Sequence, residues 1–418
     1  MTPAPPSASH KPLSPRAASV RCLIRWEKGG VFAETLIARE GAGMTPADRA
    51  MLQAIVLGVL RNLRWLEHLR KLLRTAPLEE KGHWLVIVGL CELFVLEHAE
   101  YAVVSQLVAQ APARLRGVVN GMLRNALRRR DEFLGERKLL SPGMRYSTPD
   151  WLVRRWMRDF GKEDTLALLE WNVQPPPVYA RINPLRPMEY PLPNADALPG
   201  LPGWYRLRAG VPLAALQDGQ VYVADPSTRH CVRLLAPQAG ERILDACAAP
   251  GGKSAAIIAA TMGQVKLMAT DAEEHRLAPL QQNLQRAGGA NVTVALHDWT
   301  HPCPPEWRGS FDAVLLDVPC SNSGVLQRRV DARWRLQEKE IARLAGLQAL
   351  ILEQAAEAVR PGGRLVYSTC SIDRQEDREV VDAFLAEHPE FSFVEEYLAL
   401  PHREQADGAY AALLVREG

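Results

Sequence analysis

From about residue 219 onward the chain alternates short apolar runs with longer amphipathic ones, and this pattern restricts its fold more than any other feature. Strand-length runs fall at 242–246, 265–270, 292–296, 313–317 and 364–369, with helix-period stretches between them at 253–262, 273–288, 336–360 and 373–388. Strands this apolar belong in a parallel sheet covered by helices, which predicts a doubly wound, Rossmann-like α/β domain over residues 219–418. Ligands of such open sheets sit outside the carboxyl ends of the strands. There the run 313–317 ends in Asp317, and the chain then breaks at Pro319 beside Cys320.

The first strand leads into a glycine-bearing loop, Cys247-Ala248-Ala249-Pro250-Gly251-Gly252-Lys253-Ser254. Glycines between a strand and a helix let backbone approach a ligand, and the helix start offers free N–H groups. Two ligand classes compete for this loop. A triphosphate wants GxxxxGK[ST], and Gly252-Lys253-Ser254 supplies its end; however, Cys247 stands where the first glycine belongs, and Pro250 removes an N–H from the cradle. A nucleoside cofactor wants an acid after the second strand to hold ribose hydroxyls. Asp271 stands there, and Asp298 after the third strand is placed to meet a base amino group. The nucleoside reading fits better.

The front of the chain is different. Residues 18–140 read as helical throughout, opening a helix at Thr45-Pro46-Ala47-Asp48, with Leu52, Ile55, Val56, Val59, Leu60 and Leu63 on one face. The stretch 84–96 is apolar nearly all round, as befits the central helix of a bundle. A further stripe (Val118, Val119, Met122, Leu123, Ala126, Leu127) is bordered by Arg124 and Arg128–Arg130. Trp151, Leu152, Trp156 and Phe160 predict another helix, closed by Gly161. Ten prolines between Pro175 and Pro212 exclude long helices and central strands there, so residues 141–218 are expected to form a small α+β bridging subdomain with a strand near 178–183. Residues 1–17, with five prolines and no acid, read as a disordered tail.

Charge is unevenly spread. Residues 1–140 carry 21 Lys and Arg against 13 Asp and Glu, whereas residues 241–418 carry 18 against 26. A basic front on an acidic back suits a polyanion gripped by one part and delivered to the other. No run is long enough to span a bilayer. Seven cysteines without a CxxC pair fit neither a disulfide framework nor a zinc site, so no metal is expected and a reducing cytoplasm is the default. His297, His301 and Cys303 cluster in a Pro-rich loop without ligand spacing. Arg328, Arg329, Arg333 and Arg335 around Trp334 read as an RNA-facing loop.

The blocks Cys247–Ser254, Asp271 with Arg276-Leu277, Asp317–Ser321 and Tyr367-Ser368-Thr369-Cys370-Ser371 resemble the signatures of the NOL1/NOP2/Sun family, which are S-adenosylmethionine-dependent RNA cytosine-C5 methyltransferases. The front half, through Asp48-Arg49 and Leu115-Arg116-Gly117-Val118-Val119-Asn120, resembles the NusB-type all-α RNA-binding domain. That pairing implies the bacterial type that acts on small-subunit (16S) ribosomal RNA; a monomer is expected. Departures are Asn322-Ser323 in place of a Gly-Thr pair, Val330 where a proline is common, and Ala224-Asp225-Pro226 before the first strand.

The resemblance implies a cofactor site at Cys247, Ala248, Ala249, Pro250, Gly251, Gly252, Lys253, Asp271, Arg276, Asp298 and Asp317. It also implies that Cys370 is the nucleophile and Cys320 assists adduct breakdown, although DNA cytosine methyltransferases use a Pro-Cys nucleophile, which would favour Cys320. Chemistry explains the need for two thiols. Carbon 5 of cytosine is a poor nucleophile until a thiolate adds at carbon 6, and the adduct must then lose a proton and expel the thiolate. Asp317 is placed to stabilise charge at the ring or to face the cofactor. The rival readings are a tRNA methyltransferase, a P-loop NTPase, and a non-catalytic rRNA-binding assembly factor.

Overall fold

The computed structural model describes residues 13–188 and 192–418; most of the expected tail, residues 1–12, lies outside them. The chain divides into two compact units after Gln174, where the proline run begins. Residues 141–174 therefore belong with the first unit and the proline-rich segment with the second.

The first unit is all-helical. Its first helix, Pro15–Glu27, begins inside the stretch expected to be tail: Ser14 caps it and Pro15 takes the first helical position, where no N–H is needed. Pro46–Arg61 starts as expected, with Thr45 Oγ1 accepting the Asp48 N–H at 3.1 Å. Glu80–Phe94 is the central helix, buried continuously from Trp84 to Phe94. Its Glu92 is tolerated because Arg16 Nε donates to it at 2.7 Å and His98 Nδ1 lies 2.8 Å away; stripped of partners, such a charge would cost several kcal/mol. Ala113–Arg128 buries Val119, Met122, Leu123 and Ala126 while Arg124 and Arg128 stay exposed. In Asp150–Asn172 the helix breaks at Gly161 (φ 76°), then resumes to Asn172.

The second unit opens with a four-stranded antiparallel sheet, order β2-β3-β1-β4, from β1 (Val178–Ile182), β2 (Ala195–Ala197), β3 (Trp204–Leu207) and β4 (Val221–Val223). The prolines keep every strand short. The larger sheet contains β5 (Arg242–Asp245), β6 (Lys266–Asp271), β7 (Val292–Leu296), β8 (Phe311–Asp317), β9 (Val359–Thr369), β10 (Phe391–Ala399) and β11 (Ala409–Arg416), in the order β10-β11-β9-β8-β5-β6-β7. Strands β5 to β9 pair in parallel, while β11 runs antiparallel to both β9 and β10.

Period-two alternation sorts β8 between two cores. Val314 and Leu316 pack on one side with Leu352, Val381 and Phe384; Ala313 and Leu315 face Ile257, Leu280 and Leu284 on the other. Each of the five expected parallel strands is present. The sequence reading does not include the β10–β11 hairpin: Glu395 and Glu396 interrupt the strand formers of β10 at the sheet edge, and Ala409, Ala411 and Ala412 dilute those of β11. Because β5 pairs with β6 on one side and β8 on the other, the order reverses there. That reversal opens a crevice at the carboxyl ends of β5 and β8.

Candidate active site

Strands β8 and β9 pair in register through Asp317 and Ser368, so the segments following them start level. The chain turns at Pro319, and Cys320 and Cys370 meet with Sγ atoms 3.1 Å apart. The contact with Cys370 and then burial push the Cys320 thiol well above its ordinary range. Lys253, from the first turn of the helix Gly252–Ala260, donates from Nζ to Asp317 Oδ2 at 2.5 Å. Burial opposes its charge most strongly, but the field and hydrogen bond of Asp317 together with the neighbouring Cys231 and Cys370 raise its pKa and keep the ammonium protonated.

Asn322 occupies the left-handed region (φ 61°), one of the few conformations where Asn is tolerated in place of Gly. Its Nδ2 donates to the Cys320 carbonyl at 3.0 Å, and its Oδ1 receives the Cys370 thiol at 3.3 Å. Beneath the cysteines lies a group that sequence reasoning missed. Glu376, fully buried, accepts from Ser321 N at 2.8 Å, from Ser371 Oγ at 2.8 Å, from Gln348 Nε2 at 2.9 Å and from Ser321 Oγ. One carboxyl therefore ties together the loops that carry both thiols, and burial raises its pKa. The serines beside Cys320 and Cys370 were the available signal, since two buried hydroxyls each require a hydrogen-bond partner. Ser323 Oγ lies 2.9 Å from Ser371 Oγ and accepts the Ile372 N–H at 3.0 Å. Gly324 meets Gly408 so closely that a Cβ on Gly324 would stand 2.7 Å from the Cys370 carbonyl oxygen and 2.9 Å from Gly408 Cα.

In the glycine-bearing loop 247–254, Ala248 N donates to the Thr270 carbonyl at 2.8 Å, and Gly251 turns into the helix at φ 104°. Asp271 Oδ2 accepts the Ala249 N–H at 3.2 Å and its Oδ1 accepts the Glu273 N–H at 3.1 Å. Arg276, more than half exposed, comes within 3.9 Å of Asp271. Asp298 is nearly half exposed; bonds from the Thr300 backbone and hydroxyl keep its pKa low. Asp245, buried at the end of β5, is pushed up to about 7 by burial; Ser254 donates to its Oδ2, while its Oδ1 has no partner among the described residues. Burial, followed by the fields of Asp245, Asp317, Asp271 and Asp298, raises the Cys247 thiol. Four carboxylates thus converge on this loop. With Lys253 paired to Asp317 and Asp245 raised to about 7, the negative field left on the loop comes mainly from Asp271 and Asp298, and a field of that sign favours a cationic ligand over a triphosphate.

A cavity of about 150 Å³ adjoins Cys370 and is lined by Lys253, Asp225, His230, Ser368 and Asp407 among others. Burial lowers the pKa of His230 to about 4, so the imidazole is neutral; it stacks on Tyr397 at 3.7 Å.

Other expected site features lie elsewhere. Arg328 does not face RNA: it donates to Asp407 Oδ2 at 2.6 Å, Asp225 Oδ2 at 2.8 Å and the Pro177 carbonyl at 2.9 Å. Arg333 is fully buried, so the arginines of this loop do not present one cationic face. His297 packs in an aromatic cluster with Trp299 and Trp307, and no group of potential metal ligands occurs among the described residues. Cys22, Cys91, Cys231 and Cys303 are buried, and burial raises all four thiols, the behaviour of structural cysteines.

The seven-stranded order with an antiparallel final hairpin, an acid after the second strand and a glycine-bearing loop after the first defines a Rossmann-like methyltransferase domain. Known proteins agree. Family models match residues 232–415 (16S rRNA methyltransferase RsmB/F), 13–128 (NusB family) and 148–188 (RsmF/B-like ferredoxin-like domain). Ribosomal RNA small subunit methyltransferase B of Klebsiella pneumoniae is 36% identical over 396 residues, covering 88% of this chain and 90% of that protein. Its Salmonella arizonae counterpart is 34% identical over 397 residues, covering 88% and 91%. The crystal structure of PH0851 superposes with a TM-score of 0.76 at 21% identity over 98% of this chain and all of that one. NSun6 from Pyrococcus horikoshii with SFG gives 0.57 at 19% identity over 65% and 98%; both likenesses concern the fold. The chain belongs to the RsmB/F family of methyltransferases, with a NusB domain, a ferredoxin-like bridge and the catalytic-type domain in that order.

Proposed function

We propose that this chain is an S-adenosylmethionine-dependent methyltransferase that modifies carbon 5 of a cytosine in small-subunit rRNA through a covalent cysteine adduct. The observation that carries the reading is the pair of thiols 3.1 Å apart at the ends of β8 and β9, beside the Lys253–Asp317 pair. The rRNA substrate is drawn from the names of the relatives, and the exposed Arg124 and Arg128 of the NusB domain suit phosphate contact. A cytoplasmic monomer is the simplest form of such an enzyme. Among the described residues no helix is long and apolar enough to cross a membrane.

The carboxylates around the cofactor loop fit a cationic nucleoside. Asp271 would hold ribose hydroxyls, Asp298 the adenine amino group, and Arg276 the carboxylate end, with residues 247–253 forming the cradle. When bound, S-adenosylmethionine supplies an electrophilic methyl group on a sulfonium.

The chain's own groups do the rest. Cys370 Sγ, as thiolate, bonds carbon 6 of the base and drives electron density onto carbon 5. Asp317, fixed by Lys253, steadies charge and proton at ring N3 and the amino group. Once carbon 5 carries the methyl group, Cys320, its own proton having passed to solvent, removes the proton from carbon 5 as a thiolate; the electrons of that C–H bond re-form the ring double bond and expel Cys370 as thiolate. The base must leave its stack to reach these groups.

The test incubates wild type, Cys320→Ala and Cys370→Ala with S-adenosylmethionine and unmodified small-subunit rRNA, then seeks a denaturant-resistant protein–RNA adduct. An adduct from Cys320→Ala but not Cys370→Ala supports the assignment; the reverse moves the nucleophile to Cys320. Neither adduct nor methyl transfer from wild type would leave a non-catalytic assembly factor, and transfer to tRNA in place of rRNA would redirect the substrate.

A further inference from the structure

The geometry points to Asn322 as a positioning residue that holds the Cys370 sulfur in its protonated, aimed state until substrate arrives. This rests on Cys370 being the nucleophile. The amide of Asn322 cannot present either end at will. Its Nδ2 is committed to the Cys320 carbonyl at 3.0 Å, which leaves Oδ1 toward Cys370 Sγ at 3.3 Å. An oxygen there accepts the S–H and stabilises the thiol over the thiolate, because a carbonyl lone pair attracts the proton and repels the anion. The φ of 61° supplies the second constraint: from this left-handed backbone the side chain at 322 reaches back to both cysteine loops. Burial is intermediate at Asn322 and Cys370, so the contact is open to an incoming ligand.

The other groups around Cys370 come from four directions. Cys320 approaches from the β8 loop, Lys253 from the helix Gly252–Ala260, and Asp377 from the turn before the helix Arg378–Glu387. Asp225, His230 and Asp407 line the cavity beside it, together with the neutral Cys231 and Tyr410. Asp317 stands behind Lys253, and Glu376 lies beneath Ser371. Both replacements of residue 322 give up the bond to the Cys320 carbonyl alike, so a difference of sign between them reports the group facing Cys370.

Two replacements tolerate the left-handed backbone and push in opposite directions. Asn322→Gly removes the acceptor; Asn322→Asp replaces it with a charged one. The experiment alkylates the full-length protein with iodoacetamide across pH 6–10, reads the Cys370 peptide by mass spectrometry, and records the melting temperature of each variant. Cys320→Ala serves as a common background, so that one thiol titrates without its partner. Relative to Asn322, the glycine variant should alkylate about two- to fivefold faster at pH 7 with its profile moved to lower pH, and the aspartate variant should be slower with its profile moved up. Shifts in the same direction, or coincident profiles, would overturn the proposal. The readout needs no RNA, so its failure is separate from failure of the adduct experiment.

Discussion

Lys253 Nζ and Asp317 Oδ2 meet at 2.5 Å, joining the helix start at the end of the glycine-bearing loop to the carboxyl end of β8. The pair spans the crevice where the strand order reverses, so the only lysine of the loop is committed to a protein carboxylate and not to a phosphate. Lys253→Met should leave Asp317 uncompensated, lowering methyl transfer to rRNA at least about 100-fold and stability by about 2 kcal/mol, with Lys253→Arg retaining part of both. Tritium transfer from labelled S-adenosylmethionine and thermal melting measure the two effects.

Glu376 makes a different demand. Its carboxyl collects donors from the Cys320 loop, the Cys370 loop and Gln348, so truncation leaves several buried groups unpaired. Glu376→Ala should cost about 3 kcal/mol and lower the melting temperature by roughly 10 °C, abolishing adduct formation with it. Because burial already favours the protonated acid, Glu376→Gln should lose less than half as much. Equal losses in the two variants would contradict the shared-acceptor role.

Asp245 supplies a pH dependence. Its carboxyl is raised to about 7 in the folded protein from an ordinary value near 4, so the fold binds that proton more tightly than the unfolded chain does. The stabilisation is complete below about pH 4 and is lost as pH rises through about 7. Asn keeps an acceptor for Ser254 and never ionises. The melting temperature of Asp245→Asn should therefore gain on wild type by about 5 °C or more between pH 5 and pH 8. A constant difference across that range would refute it.

Arg328 joins Asp225, ahead of the large sheet, to Asp407, just before its last strand. Asp407 is raised to about 7, by burial first and Asp225 second, so removing the guanidinium leaves two carboxyls facing each other. Arg328→Ala should cost about 3 kcal/mol in chemical denaturation, and Arg328→Lys more than half of that, since an ammonium cannot fork between two acids and a carbonyl. An unaltered affinity of Arg328→Ala for RNA, measured below its melting point, would accord with a structural role.

The parallel strands were readable because each is a buried apolar run closed by a turn, and the acids at their ends stand out against that background. Asp271, Asp317, Cys320 and Cys370 could be placed near one another for the same reason: position at a strand's carboxyl end fixes location in this architecture. What pairing those groups make was not readable. Lys253 could have served a ligand, a loop or a carboxylate, and only the packing of its helix against β8 decides. Glu376 escaped because the loop it ties to Ser371 lies 55 residues away, and Arg328 was assigned to RNA because its carboxylate partner Asp407 lies 79 residues away, in each case amid ordinary surface-like sequence. The β10–β11 hairpin escaped because alanine and glutamate carry little strand preference; its place in the sheet comes from pairing with β9.

That pairing has a mechanical side. Strand β11 lies between β9 and β10, and Gly408 at its foot presses on Gly324 while Asp407 receives Arg328. Gly324 N donates to the Cys370 carbonyl at 3.1 Å, and Gly408 N donates to the Gly324 carbonyl at 2.8 Å. The loop that carries Cys320 is thus pinned between the Cys370 segment and the foot of β11. The hairpin acts as a brace, so the spacing of the two sulfurs depends on a strand that contributes no atom to either.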